Sequence, residues 1–395
     1  MKRKRQKVFI VILILIAVAT GINYYFRPFY DKYQKIVDER EKEVLPKVEP
    51  TPTAIPLPYE KFINEASSRD KITQLIAAPL TVSKDEEVME EQLNWLVKEK
   101  VGLAVVFGER LQADYVQETI NKIEENFSNL SYSPLIAVDH EGGRVQRLSG
   151  KGYEILPAWR TLCQQDKKKI QEKLTASAKE LAETGINIVF APMLDLANSN
   201  SVLKDRVCSD EEKLQQAASI YIQSFGSVGV MPVVKHFPGI GQVGVDLHKD
   251  FATIPFSEKE GLLFKNTLDA YPNIGVMTAH IGIKNYFDDR PCSLSQECLA
   301  NIQEVYPNVI LITDALDMDS AASLPDDEGE LSLSQRAELA IIAGNNILVF
   351  GKDVDFSELS LLISELTKKY ENDNIFKERV DNSLRKILSI KQLNN

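Results

Sequence analysis

The stretch 308-NVILITDAL-316 runs four apolar residues, Val309 to Ile312, through Thr313 into an aspartate. A run with no polar face, rich in β-branched side chains and too short for a helix, reads as a strand covered on both sides. The pattern recurs outward from it. ITQLIAAPL (72–80), GLAVVF (102–107), PLIAVDH (134–140), NIVFAPMLDL (187–196), MPVVKHF (231–237), IGVMTAHI (274–281) and NILVFG (346–351) are separated by longer amphipathic stretches. Eight such strand and helix repeats predict an α/β chain with a (β/α)8 TIM barrel as its single catalytic domain. The rival, a doubly wound open sheet, is disfavoured because no Gly-rich dinucleotide fingerprint follows the first strand.

In a parallel barrel, chemistry gathers at the C-terminal ends of the strands. The runs end in Asp139-His140-Glu141, Asp195, Lys235-His236, His280 and Asp314, and all four histidines of the chain lie at or just beyond such ends. Each has a bland reading too. His280 could be a strand-end histidine bonded to backbone, Asp195 a loop cap, and the pair Gly142-Gly143 a simple turn. Lys235 is harder to set aside, because a buried ammonium is costly without an anionic or polar partner.

The chain has 395 residues, 44% hydrophobic and 26% charged, enough to bury a large core. Net charge is −11, and the first 26 residues contribute +5, so the rest carries −16. A body this acidic is a poor binder of phosphate backbones, and no nucleic-acid partner is expected. The opening MKRKRQK is followed by an uncharged run from Val8 to Ile22 and then by Tyr24, Tyr25 and Phe26. Basic flank, apolar run and aromatic border fit a signal anchor, with Ala17-Val18-Ala19 as a cleavage site if the segment is a signal peptide instead. Five prolines in 46-PKVEPTPTAIPLP-58 stiffen that segment into a spacer. The expected organisation is therefore a membrane segment (1–26), a charged and Pro-rich stalk (27–58) and a barrel (59–395). The catalytic domain would stand outside the cell membrane, or be secreted after cleavage, as a monomer. Cys163, Cys208, Cys292 and Cys298 show neither zinc spacing nor a dense disulfide framework, and the pairing of Cys292 with Cys298 is left open.

No H-E-x-x-H or equivalent pair argues for a metal, no G-x-S-x-G elbow for a serine hydrolase, and no cofactor is implied. The loop 235-KHFPGIGQVGVDLH-248 is more telling. Asp246 lies two residues before His248, and on an extended backbone the two side chains share one side, so the carboxylate can orient the ring and raise its basicity. Asp314 is a separate carboxylate on another strand. One group able to attack and one able to shuttle a proton is a minimum kit for retaining glycosidic cleavage, which is normally built from two carboxylates.

At these residues the chain resembles the single-barrel β-N-acetylhexosaminidases of glycoside hydrolase family 3, continuously from about residue 70 to 350. The resemblance rests on 139-DHEGGRVQR-147, on 235-KHFPGIGQVGVDLH-248 and on 313-TDALDM-318, in the family's order, with VMTAHI and 291-PCSLS-295 also in place. It implies Asp314 as the nucleophile, and His248 paired with Asp246 as the acid/base. It also implies Asp139, Arg147, Arg206, Lys235 and His236 as ligands of a terminal β-linked N-acetylglucosamine. The substrate implied is a glycan or muropeptide; β-glucosidase or phosphorylase activity, or a silent glycan-binding barrel, are the alternatives. Several positions depart from the family pattern. Ile240, Gln242-Val243 and Leu247 make the dyad loop more apolar, His140 replaces a glutamine, and Val207-Cys208 replaces a Ser-Phe pair.

Overall fold

The computed structural model describes residues 58–82, 86–130, 132–197, 201–284, 290–323 and 330–393. The expected membrane segment and all of the expected stalk but Pro58 lie outside them. Among the described residues no helix is long and apolar enough to cross a membrane.

Eight parallel strands form the barrel: β1 (Ile76–Thr81), β2 (Leu103–Phe107), β3 (Leu135–Val138), β4 (Ile188–Val189), β5 (Met231–Phe237), β6 (Gly275–Thr278), β7 (Ile310–Thr313) and β8 (Leu348–Val349). They pair in the order β7-β6-β5-β4-β3-β2-β1-β8. The sheet closes where Ile312 bridges Ile347 and the Thr313 N–H donates to the Ile347 carbonyl at 3.0 Å. The apolar runs predicted all eight strands. β3, β6 and β7 are buried at every position, because one face meets the barrel interior and the other the helical layer.

Two boundaries differ from expectation. Ile72 and Thr73 belong to the helix Ser68–Thr73, capped by the Ser67 side chain, so the first run turns into a strand only at Ile76. The fourth run is regular only over Ile188–Val189 and resumes as an isolated bridge from Met193 to Lys235, since Pro192 lies between and lacks an N–H to donate.

The helices obey elementary rules. In Ala113–Phe127 the buried residues Val116, Thr119, Ile120, Ile123 and Phe127 make one stripe at helical spacing. Asp210, Ser257, Ser295 and Asp355 cap the helices that come after β4, β5, β6 and β8 with side-chain oxygens on backbone N–H groups. The open question of Cys292–Cys298 is answered by a disulfide, and a second disulfide, Cys163–Cys208, goes beyond what the spacing suggested. The latter joins residues 45 apart in sequence, brought together where the short helix Trp159–Leu162 packs beside the segment after β4. Sequence spacing could not show that juxtaposition.

Candidate active site

The C-terminal ends of the strands open into a cavity of about 640 Å³. Among the residues lining it are Asp139, Arg147, Arg206, Lys235, His236, Asp246, His248 and Asp314, all the residues expected to act there. β3 brings Asp139 and Glu141, the segment after β4 brings Arg206, β5 brings Lys235 and His236, and β7 brings Asp314.

At the cavity floor the charges interlock. Lys235 Nζ lies 2.9 Å from Asp139 Oδ1 and 2.7 Å from Glu141 Oε1, with its side chain 3% exposed. Arg206 holds Glu141 in a fork, Nε to Oε2 at 2.9 Å and Nη2 to Oε1 at 2.8 Å. Arg147 reaches Asp139 Oδ2 at 3.7 Å and lies over the Phe107 ring. Burial opposes ionisation of Glu141, but Lys235 and Arg206 outweigh it and hold the carboxyl down at about 2. For Lys235, burial favours the neutral amine, while Asp139 and Glu141 more than compensate and keep the ammonium. Three cations, Arg147, Arg206 and Lys235, face the carboxylates of Asp139 and Glu141 here.

Asp195 proves to be more than a loop cap. Its Oδ2 accepts the backbone N–H of His236 at 3.1 Å and faces the ring Nδ1 at 2.7 Å, while Oδ1 accepts the Ile240 N–H at 2.8 Å. With Nδ1 donating to Asp195, the other ring nitrogen of His236 points to Asp314, 3.9 Å from Oδ2. Burial disfavours the charged form of Asp314, yet His236 and the Ala315 N–H lower its affinity for a proton below the usual carboxylate value.

Of the four strand-end histidines, two stand apart from the cavity lining. His140 turns to the helical layer, where Nε2 meets Ser177 Oγ at 2.8 Å and burial pushes the ring down to about 3. His280 holds the loop after β7: Nε2 donates to the Ala315 carbonyl at 3.0 Å, so Nδ1 accepts from the Ser293 hydroxyl at 2.7 Å. Burial lowers its proton affinity, keeping it neutral. Its role is the bland one, bracing the residue after Asp314.

Asp246 and His248 are close, but not through an extended backbone as expected. Residues 247–249 form a turn, in which Asp246 Oδ1 accepts the His248 N–H at 3.1 Å and meets the ring Nδ1 at 2.8 Å. An aspartate capturing the N–H two residues on is itself a turn former, which alternation along a strand does not anticipate. The bond from the ring lowers the proton affinity of Asp246. The apolar departures Ile240, Val243 and Leu247 are all buried and line the cavity near the dyad.

Sequence reasoning under-read Glu141, Asp195 and Glu260. The first two stood at strand ends and carried a signal. Glu260, on the first turn of the helix Glu258–Ala270, had none, because nothing in SEKEG distinguishes an inward carboxylate from a solvated one.

The Glycosyl hydrolase family 3 N terminal domain matches residues 67–390. A β-hexosaminidase of Tolumonas auensis is 31% identical over 281 residues, covering 67% of this chain and 79% of the relative. One of Actinobacillus succinogenes is 31% identical over 238 residues, covering 56% and 66%. The crystal structure of a β-N-acetylhexosaminidase from Beutenbergia cavernae superposes with a TM-score of 0.70 at 23% identity, over 82% of this chain and 98% of that one, a likeness of fold. The matched span takes in the barrel and every residue of the charged cluster, and with it the chain belongs to glycosyl hydrolase family 3.

Proposed function

We propose that this family 3 glycoside hydrolase is a retaining, exo-acting β-N-acetylglucosaminidase that removes terminal β-linked N-acetylglucosamine from peptidoglycan fragments outside the cell. The observation that carries the reading is that Asp314 and the Asp246–His248 pair, from different loops, line the same cavity as the buried charge cluster.

A lowered proton affinity keeps Asp314 ionised and ready to attack the anomeric carbon. As its Oδ forms the new bond, the glycosidic bond breaks, and the imidazolium of His248 gives its Nε2 proton to the departing oxygen. Asp246, bonded to Nδ1, fixes the ring orientation and supports its charge. In the second half, neutral His248 takes a proton from water, whose oxygen attacks the same carbon and releases Asp314, giving net retention. Lys235 has three N–H donors, of which Asp139 and Glu141 take two, leaving one for a sugar hydroxyl. Asp139, Arg147, Arg206 and His236 complete the hydroxyl-binding floor. The wall-fragment substrate is inferred from the β-hexosaminidase relatives together with the basic and apolar N-terminus, and the two disulfides support a site outside the reducing cytoplasm.

The test uses p-nitrophenyl β-N-acetylglucosaminide and β-glucoside, with and without phosphate. Selective cleavage of the N-acetyl sugar in water is expected, with Asp314→Asn lowering kcat by roughly 10³-fold or more. Preference for the glucoside, a requirement for phosphate, or glycan binding without turnover would overturn the assignment.

A further inference from the structure

The root of the dyad loop is held from below by a carboxylate that never reaches the cavity. Glu260 is fully buried. Its Oε1 accepts the Leu196 N–H from the segment after β4 and the Gly241 N–H from the loop after β5, both at 2.9 Å. One residue before Leu196, Asp195 accepts the neighbouring Ile240 N–H at 2.8 Å. Two successive backbone N–H groups are therefore gripped by two buried carboxylates, five to six residues before Asp246.

The glycines of 238-PGIG-241 exist for this contact. A Cβ on Gly239, where φ is +121°, would stand 2.6 Å from Glu260 Cβ, and one on Gly241 would stand 2.1 Å from the Leu196 carbonyl and 2.6 Å from Glu260 Oε1. The backbone thus lies directly on Glu260. Farther along, the described backbone anchors of the loop are longer: the Val202 N–H to the Val243 carbonyl at 3.2 Å and the Asp319 N–H to the His248 carbonyl at 3.4 Å. The His248 side chain is 73% exposed, so side chains other than Asp246 do little to fix it. Burial, and then the charge of Asp195, push the proton affinity of Glu260 up to about 7.

We propose that Glu260 is a positioning residue for proton transfer: it sets the root of the 238–248 loop against the segment after β4 and so places His248 over the scissile oxygen. The inference rests on His248 being the acid. A misplaced acid slows bond breaking only where the leaving group needs a proton. A general loss of folded enzyme slows every substrate by one factor.

The experiment compares kcat/KM for phenyl and dinitrophenyl β-N-acetylglucosaminides, the second of which departs without protonation, in the full chain and in Glu260→Ala, Glu260→Gln and His248→Ala. Glu260→Ala should lose roughly tenfold or more on the phenyl substrate while changing little on the dinitrophenyl one, in the pattern of His248→Ala. Glu260→Gln, which retains a carbonyl oxygen for the two N–H groups, should stay within about threefold of the native enzyme on both. Equal losses on the two substrates, or none, in Glu260→Ala would refute the inference while His248→Ala stays selective. An unselective His248→Ala would instead overturn the acid assignment beneath it.

Discussion

Lys235 illustrates how much one side chain can depend on its partners. An ammonium at 3% exposure is tenable only because Asp139 and Glu141 lie within 3 Å, and Glu141 in turn is tenable only between Lys235 and Arg206. Removing one member leaves uncompensated charge rather than a neutral gap. Glu141→Gln should therefore cost about 3–5 kcal/mol at neutral pH, measured by denaturant unfolding, and abolish turnover. The lowered affinity of Glu141 gives the sign of the pH dependence. Its folded value of about 2 lies below the ordinary 4.5, so its contribution is full above about 4.5 and fades as pH falls toward 2. The stability gap between native and Glu141→Gln proteins should narrow over that window; a gap independent of pH would mean that the charge is not what Glu141 contributes. At this scale the sequence exposed the polar strand ends, which is why Lys235, His236 and Asp314 could be singled out. Their mutual contacts were invisible, because Asp139 and Lys235 are 96 residues apart.

At the scale of elements, the apolar runs sufficed to place all eight strands, since a strand packed on both faces is mostly apolar and admits polar residues chiefly near its end, as Lys235 and His236 do in β5. Edges were less legible, because a buried helical turn such as Ile72–Thr73 looks the same as the strand it precedes. The caps, which the apolar pattern does not address, follow from local side-chain chemistry. The helix Leu333–Ala343 begins with a capping box, Ser332 Oγ accepting the Gln335 N–H at 3.3 Å and Gln335 Oε1 accepting the Ser332 N–H at 2.8 Å. Ser332→Ala should cost about 1 kcal/mol of stability, seen as a lower Tm, with kcat and KM of the folded enzyme unchanged. A change in KM would show that this helix start reaches the site, although Ser332 is not among the residues lining the cavity.

At the scale of the whole molecule, closure of the barrel and the Cys163–Cys208 disulfide tie distant segments together. Cys163–Cys208 fixes the segment that carries Arg206 to the short helix before it, and the Ala197 N–H to the Cys208 carbonyl adds a second tie at 2.8 Å. The protein unfolded without reductant should show no titratable thiol, and four after reduction. Replacing Cys163 and Cys208 together by serine should cost about 2–4 kcal/mol of stability. Free thiols in the unreduced protein would remove the support that the disulfides lend to a site outside the cell.

The sequence by itself determined the barrel, the ends of its strands as the place for chemistry, and the family motifs, because each is written in short-range patterns of apolarity and residue order. Only the tertiary structure decided that Asp195 orients His236, that Glu141 completes the cluster, that His140 and His280 turn away from the cavity, that the four cysteines pair, and that Glu260 lies under the dyad loop. These depend on which strands and loops become neighbours when the sheet closes, and on which way each side chain faces once water is excluded.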